Sequence, residues 1–133
     1  MCRQGGAEPL QLVHDPRIKA AVVADPFGGV FAADSFKDVR APVQLWASER
    51  GGDGVSPQNV AAIAGWLPEK PELHSVPNSR HFAFLAPCPE ELTKSAPEIC
   101  VDGPGFDRAG FHKEFNADVV AFFREHLADD RKP

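Results

Sequence analysis

Pro42-Val43-Gln44-Leu45-Trp46-Ala47 runs into Ser48-Glu49-Arg50-Gly51-Gly52-Asp53-Gly54-Val55 and then into Ser56-Pro57-Gln58-Asn59-Val60. The first run is apolar apart from Gln44, the pattern of a strand covered on both faces inside a parallel sheet. Three glycines then mark a shaped loop. Ser56 is a good helix N-cap and Pro57 suits the first helical position, where its missing N–H costs nothing. Val60, Ile63, Ala64 and Leu67 recur on one face, and Pro68 stops the helix. The stretch therefore reads as strand, loop and helix, one unit of an α/β sheet.

The flanking sequence repeats the pattern. Asp15-Pro16-Arg17 introduces Ile18-Lys19-Ala20-Ala21-Val22-Val23-Ala24, which predicts a buried strand over 18–24 ended by Asp25-Pro26. Phe27-Gly28-Gly29-Val30 follows as a loop, and 35–39 as a short turn or helix. Glu72-Leu73-His74-Ser75-Val76 gives a third strand. Residues 82–105 are loop-rich, with a short helix near 90–94. Phe111, Phe115, Val119, Phe122, Phe123 and Leu127 then form a stripe at helical spacing, with Asp107 as its cap, and the stripe predicts core contacts. Residues 1–14 read as an ill-packed lead-in and 129–133 as a charged tail.

Strands alternating with helices predict an α/β fold with about three parallel strands, flanking helices and a long C-terminal helix, in a single domain over 1–133. Three strands make only part of such a sheet. The first would leave an apolar edge open unless something pairs with it. The expectation is a partial domain that self-associates or docks a missing N-terminal half through that edge.

Composition narrows the function. A net charge of −5 argues against a nucleic-acid surface, which needs clustered Lys and Arg. No apolar stretch approaches the roughly 20 residues that span a bilayer. Met1-Cys2-Arg3-Gln4-Gly5-Gly6 lacks the apolar core of a signal peptide. Three cysteines leave at least one unpaired within the chain. Cys88 and Cys100 bracket a loop with three prolines and are either a disulfide or two buried thiols; spacing alone does not choose. A disulfide would point to the periplasm or outside the cell, thiols to the cytoplasm. Neither cysteine has a Cys or His at ligand spacing, and no His-Glu-x-x-His pattern occurs, so no metal site is expected.

Two residues carry candidate chemistry. Asp53 follows the second strand, and His81, in Asn78-Ser79-Arg80-His81-Phe82, follows the third. A loop acid and then a loop histidine, each after a parallel strand, is the back half of the nucleophile–acid–histidine order. Glu49 is a reserve acid, closer to the strand end. The plainer reading makes Asp53 a turn residue among glycines and His81 a loop histidine satisfied by backbone.

The residues also carry a resemblance. Asp53 with Pro57 four positions on, Asn78-Ser79-Arg80-His81-Phe82, the run from His81 to Cys88, Pro97-Glu98-Ile99-Cys100, and Pro104-Gly105-Phe106-Asp107 together resemble the C-terminal portion of bacterial α/β-hydrolases of the predicted dienelactone hydrolase type. The resemblance spans 15–127 and implies an ester, lactone or related acyl substrate, with His81 as general base and Asp53 orienting it. It tips the choice for both residues toward catalysis.

The nucleophile departs from that pattern. None of Ser35, Ser48, Ser56, Ser75, Ser79 and Ser95 stands in Gly-x-Ser-x-Gly, and Cys2 has no strand before it. Ser48 follows a strand but lacks elbow glycines. The chain is expected to be inactive alone, or else a non-catalytic binding or self-association module. His14, His112 and His126 read as exposed polar positions, and His74 as a strand residue of undecided face. Phe82, Phe84 and Leu85 either line an acyl pocket or pack the core.

Overall fold

The computed structural model describes residues 14–128. The expected lead-in, apart from His14, and the charged tail lie outside them. Strand β1 spans Ala21–Ala24, β2 Val43–Ser48 and β3 Glu72–Val76. They form a parallel sheet in the order β1-β2-β3, with Val23 opposite Leu45 and Leu45 opposite Leu73. Helix α1 spans Pro57–Trp66, α2 Glu90–Ser95, α3 Pro97–Cys100 and α4 Arg108–Leu127. Short 3-10 turns occupy Gly28–Val30, Ala33–Phe36 and His81–Phe84.

The first strand is shorter than its apolar run predicts. Ala21 N–H donates to the Pro42 carbonyl, and Pro42 has no N–H with which to extend the ladder. Ile18 is left 55% exposed. The start of α1 follows the sequence rule: the Ser56 side chain accepts from Asn59 N–H, and Pro57 is the first helical residue.

Side chains alternate across β2 and divide the core into two layers. Leu45 and Ala47 pack with Val60 and Ile63 of α1 on one face. Gln44, Trp46 and Ser48 point to the other, where the Trp46 ring meets Phe115 edge-on at 4.9 Å and Phe111 at 6.2 Å. Aromatic contacts of this kind contribute about 0.5–1.5 kcal/mol each beyond burial, so they pin α4 over the sheet. Gln44, the polar exception in the run, is fully buried and satisfied: it accepts from Trp46 Nε1 (2.9 Å) and donates to Glu72 (3.0 Å).

The stripe on α4 is core for only part of its length. Phe122 is buried and Phe111, Phe115, Val119 and Phe123 are half-buried, whereas Leu127 is 44% exposed. A 20-residue helix is about 30 Å long, and strands of five or six residues run about 17–20 Å, so the helix is longer than the strands it covers. Among the described residues β1 has a neighbour on one side only. Alternation of ladder bonds leaves the Val22 and Ala24 backbone groups facing its open edge.

Candidate functional site

The residues of interest gather where the C-terminal ends of the three strands meet their loops, the place where ligands bind in open parallel sheets. At the end of β1 the chain turns sharply at Asp25, whose φ is +48°. The following Pro26 disfavours the right-handed helical region for Asp25, and a short polar side chain tolerates the left-handed one. Asp25 N–H stays in the ladder, donating to the Trp46 carbonyl at 2.8 Å.

The Asp25 carboxylate is wholly buried and receives three donors. Ser48 N–H donates to Oδ1 at 2.8 Å and the Ser48 hydroxyl to Oδ2 at 2.5 Å. His81 Nδ1 lies 3.1 Å from Oδ2. An ionised carboxylate only accepts, so a neutral imidazole in this contact carries its proton on Nδ1 and its lone pair on Nε2. The imidazole is 29% exposed, and among the described residues Nε2 has no hydrogen-bond partner.

The loop carrying His81 is held from several sides. His81 N–H donates to the Gly51 carbonyl (3.0 Å), and Gly51 N–H donates to the Ser48 hydroxyl (3.1 Å). Gly51 has φ +61°, and a Cβ there would sit 2.3 Å from the Val55 carbonyl oxygen, so only glycine fits. His112 Nε2 bonds the Ala83 carbonyl at 2.8 Å, under the turn that begins at His81. The expectation that His112 is an exposed helix residue is therefore corrected: it is half-buried and anchors the histidine turn.

Asp53 is not brought to His81. It is exposed at the tip of a hairpin closed by reciprocal bonds between Gly52 and Val55 (3.0 and 2.9 Å). Asp53 and Gly54 both have positive φ, 52° and 85°, the mirror-image two-residue turn for which Asp-Gly is favoured. The local turn preference, the plainer reading of the sequence, governs this position. Glu49, the reserve acid, also faces elsewhere, accepting the Asn78 backbone N–H at 2.6 Å. It caps the loop before His81 and does not touch the imidazole.

No serine is presented to Nε2 among the described residues. Ser48 is fully buried with its proton on Asp25, and Ser79 is buried with its hydroxyl on the Val76 carbonyl. Ser35 and Ser56 accept from backbone N–H groups, Ser95 bonds its own helix, and Ser75 lies on β3. Cys2 lies outside the described residues. Cys88 and Cys100 form a disulfide with Cα atoms 5.6 Å apart. Between that bridge and α4, Arg108 pairs with Asp102 through two nitrogens (2.8 and 2.9 Å) and with the Ile99 carbonyl (2.9 Å).

Phe82 and Phe84 part company. Phe84 joins the aromatic layer, with ring centroids 5.5 Å from Phe111 and 5.7 Å from Phe115. Phe82 lies 5.2 Å from the His81 ring and, with Arg80, Gly52 and Asp53, lines a cleft of about 250 Å³. Leu85 is about half exposed. Among the described residues no three His, Cys, Asp or Glu side chains converge as a metal site would need. No helix there is long and apolar enough to cross a membrane.

Sequence reasoning missed Asp25 and Ser48 as members of the site. An acid at the C-terminal end of a strand, just before a proline, was the available signal; it reads first as the strand's terminator. Comparison with protein-family models, with curated proteins and with solved structures gives no match for this chain.

Proposed function

We propose that this chain is the C-terminal segment of an α/β-hydrolase acting on ester, lactone or related acyl bonds, in which Asp25 and His81 form the acid–base half of a catalytic triad. The observation that carries the reading is the buried carboxylate of Asp25 on Nδ1 of His81, with the imidazole partly exposed and Nε2 unbonded among the described residues. An imidazole held this way is prepared to take a proton. Nε2 removes the proton of a serine hydroxyl as its oxygen attacks the acyl carbonyl, and Asp25 stabilises the imidazolium that forms. The imidazolium then returns the proton to the leaving alkoxide, and a water repeats the sequence to release the acid. The nucleophile and the oxyanion donors come from outside the described residues. No cofactor enters this scheme. The disulfide favours an oxidising compartment for the protein.

The experiment is fluorophosphonate labelling of the natively expressed, tagged polypeptide, read by intact mass and peptide mapping of all tag-purified material. A labelled serine, on this polypeptide or on one that co-purifies, is expected. It should be lost in His81→Ala and kept in Glu49→Ala and Asp53→Asn. The purified 133-residue chain should not label. Absence of any labelled serine in the native material would overturn the hydrolase reading.

The second reading is a non-catalytic module that binds a partner or a second copy through the open edge of β1. It is favoured by an apolar cleft of about 300 Å³ beside that edge, lined among others by Val23, Phe31, Phe36, Val43 and Ile63. A monomer at micromolar concentration with no co-purifying protein would count against it.

A further inference from the structure

Four hydrogen bonds close a ring around the base. The Ser48 hydroxyl donates to Asp25 Oδ2 (2.5 Å), which accepts from His81 Nδ1 (3.1 Å). His81 N–H donates to the Gly51 carbonyl (3.0 Å), and Gly51 N–H donates back to the Ser48 oxygen (3.1 Å). Among the described residues Ser48 bonds both the carboxylate and Gly51, whose carbonyl holds the backbone of His81. We propose that Ser48 is the positioning residue of this site: its hydroxyl fixes the Asp25 carboxylate and the Gly51 loop relative to each other, and so selects the His81 tautomer with a free Nε2. The proposal rests on the reading of Asp25 and His81 as an acid–base pair.

Three observations carry it. Ser48 is fully buried, so bulk solvent does not compete for its hydroxyl. It uses its single proton on Asp25 and a lone pair on Gly51, which excludes it as a nucleophile while explaining a polar side chain in a core strand. Its own N–H holds the other oxygen, Oδ1, at 2.8 Å, so the carboxylate cannot rotate about its Cβ–Cγ bond without losing both contacts. Removing the hydroxyl frees one side of the carboxylate and unties Gly51 in the same step. The backbone N–H at position 48 still holds Oδ1, but Oδ2 and the Gly51 loop are no longer tied together, so the bond from Nδ1 weakens and more of the imidazole carries its proton on Nε2.

The test is nitrogen-15 NMR of the histidine side chains in the 133-residue chain, at a pH where the imidazoles are neutral. In the wild type His81 should be protonated almost wholly on Nδ1. In Ser48→Ala the ratio of Nδ1–H to Nε2–H should fall by about tenfold, the weight of one hydrogen bond to a charged group. Ser48→Thr, which keeps the hydroxyl, should restore most of it. A folded Ser48→Ala with the wild-type ratio would overturn the proposal. Asp25→Asn separates the two levels. If it shifts the ratio while Ser48→Ala does not, the acid–base pair stands and the role of Ser48 falls. If it leaves the ratio unchanged, the pair itself is wrong and the proposal falls with it. Should Ser48→Ala not fold, the wild-type hydroxyl proton decides: a slowly exchanging resonance with a cross-peak to the His81 Nδ1 proton supports the ring, and rapid exchange overturns it.

Discussion

Oδ2 of Asp25 and Nδ1 of His81 lie 3.1 Å apart across 56 residues of chain, joined over the end of the central strand. Their elements do not adjoin: β1 and β3 are separated by β2, and the two side chains meet above Ser48, the last residue of β2. A parallel sheet makes this possible, because all three strands release their loops at the same end. The carboxylate comes from the left-handed turn of Asp25, while the imidazole comes from a turn bonded to Gly51.

Asp25 and Asp53 should therefore differ sharply when each is changed to asparagine. At position 25 the new amide nitrogen must face either the Ser48 N–H or the two donors at Oδ2, so one buried donor is opposed. The expected cost is about 1–3 kcal/mol. His81 is also forced toward the tautomer with its proton on Nε2, and a loss of about 10⁴ in turnover is expected in the complete enzyme, as when a triad carboxylate becomes an amide. Asp53→Asn keeps the turn chemistry at an exposed position and should stay within about 0.5 kcal/mol. Urea denaturation of both variants measures the first contrast, and fluorophosphonate labelling of native material the second. Equal effects at the two positions would return the acid's role to an open choice.

Much of the framework was legible because it is written locally. The third strand has the bounds expected of the run from Glu72 to Val76, and Ser56-Pro57 and Asp107 start their helices where capping rules put them. His81 was legible as a loop histidine after a strand. Its partner was not, because the pairing of Asp25 with His81 is a tertiary event: nothing near Asp25 distinguishes a site acid from an Asp-Pro strand end. Asp53 stands in a glycine-rich loop after a strand, as a site acid would, yet those glycines encode a two-residue hairpin that turns the acid into solvent. Ser48 was hidden for a different reason. A serine after an apolar run suggests a nucleophile, and only burial together with its bond to Asp25 shows that its proton is already engaged.

Gly51→Ala should damage the site without touching the side chain of Asp25 or of His81. The added methyl would meet the Val55 carbonyl oxygen at 2.3 Å, and the position requires φ +61°. The turn must open, with a cost of about 2 kcal/mol or more from strain and close contact. Because Gly51 also accepts His81 N–H, the histidine should move with it. The check is thermal or urea unfolding, together with the His81 side-chain resonances. An alanine variant of wild-type stability and unchanged His81 signals would contradict the packing described for this loop.

The Cys88–Cys100 bridge should stabilise the segment that leads into α4. With its ends 12 positions apart in sequence, closing the loop contributes about 3 kcal/mol by restricting the unfolded chain. The paired Cys88→Ser, Cys100→Ser variant should lose about that much. It should also loosen Arg108, whose partners Ile99 and Asp102 flank the second cysteine. Intact mass without reductant should be two hydrogens below the all-thiol value, and unfolding with and without phosphine reductant should separate by the same amount. A wild-type chain carrying three alkylatable thiols after oxidative folding would refute the bridge.

Glu72 predicts how acid weakens the fold. Partial burial pushes its carboxyl upward, but hydrogen bonds from His74 and Gln44 and the nearby charges of His74 and His126 outweigh that and hold it below the ordinary glutamate value. A group held low in the folded state binds fewer protons there than in the unfolded chain, so its contribution is complete above the unfolded value and is lost as pH falls through the lowered one. Its side chain is 48% exposed, which keeps the effect modest. Stability measured from neutral pH down through the carboxylate range should fall less steeply for Glu72→Gln than for the wild type. Gln44 would keep a partner in that variant, since an amide oxygen still accepts its side-chain N–H, so a difference between the two slopes reports on proton binding at Glu72. Parallel slopes would mean that the network across β2 and β3 does not couple to acid unfolding.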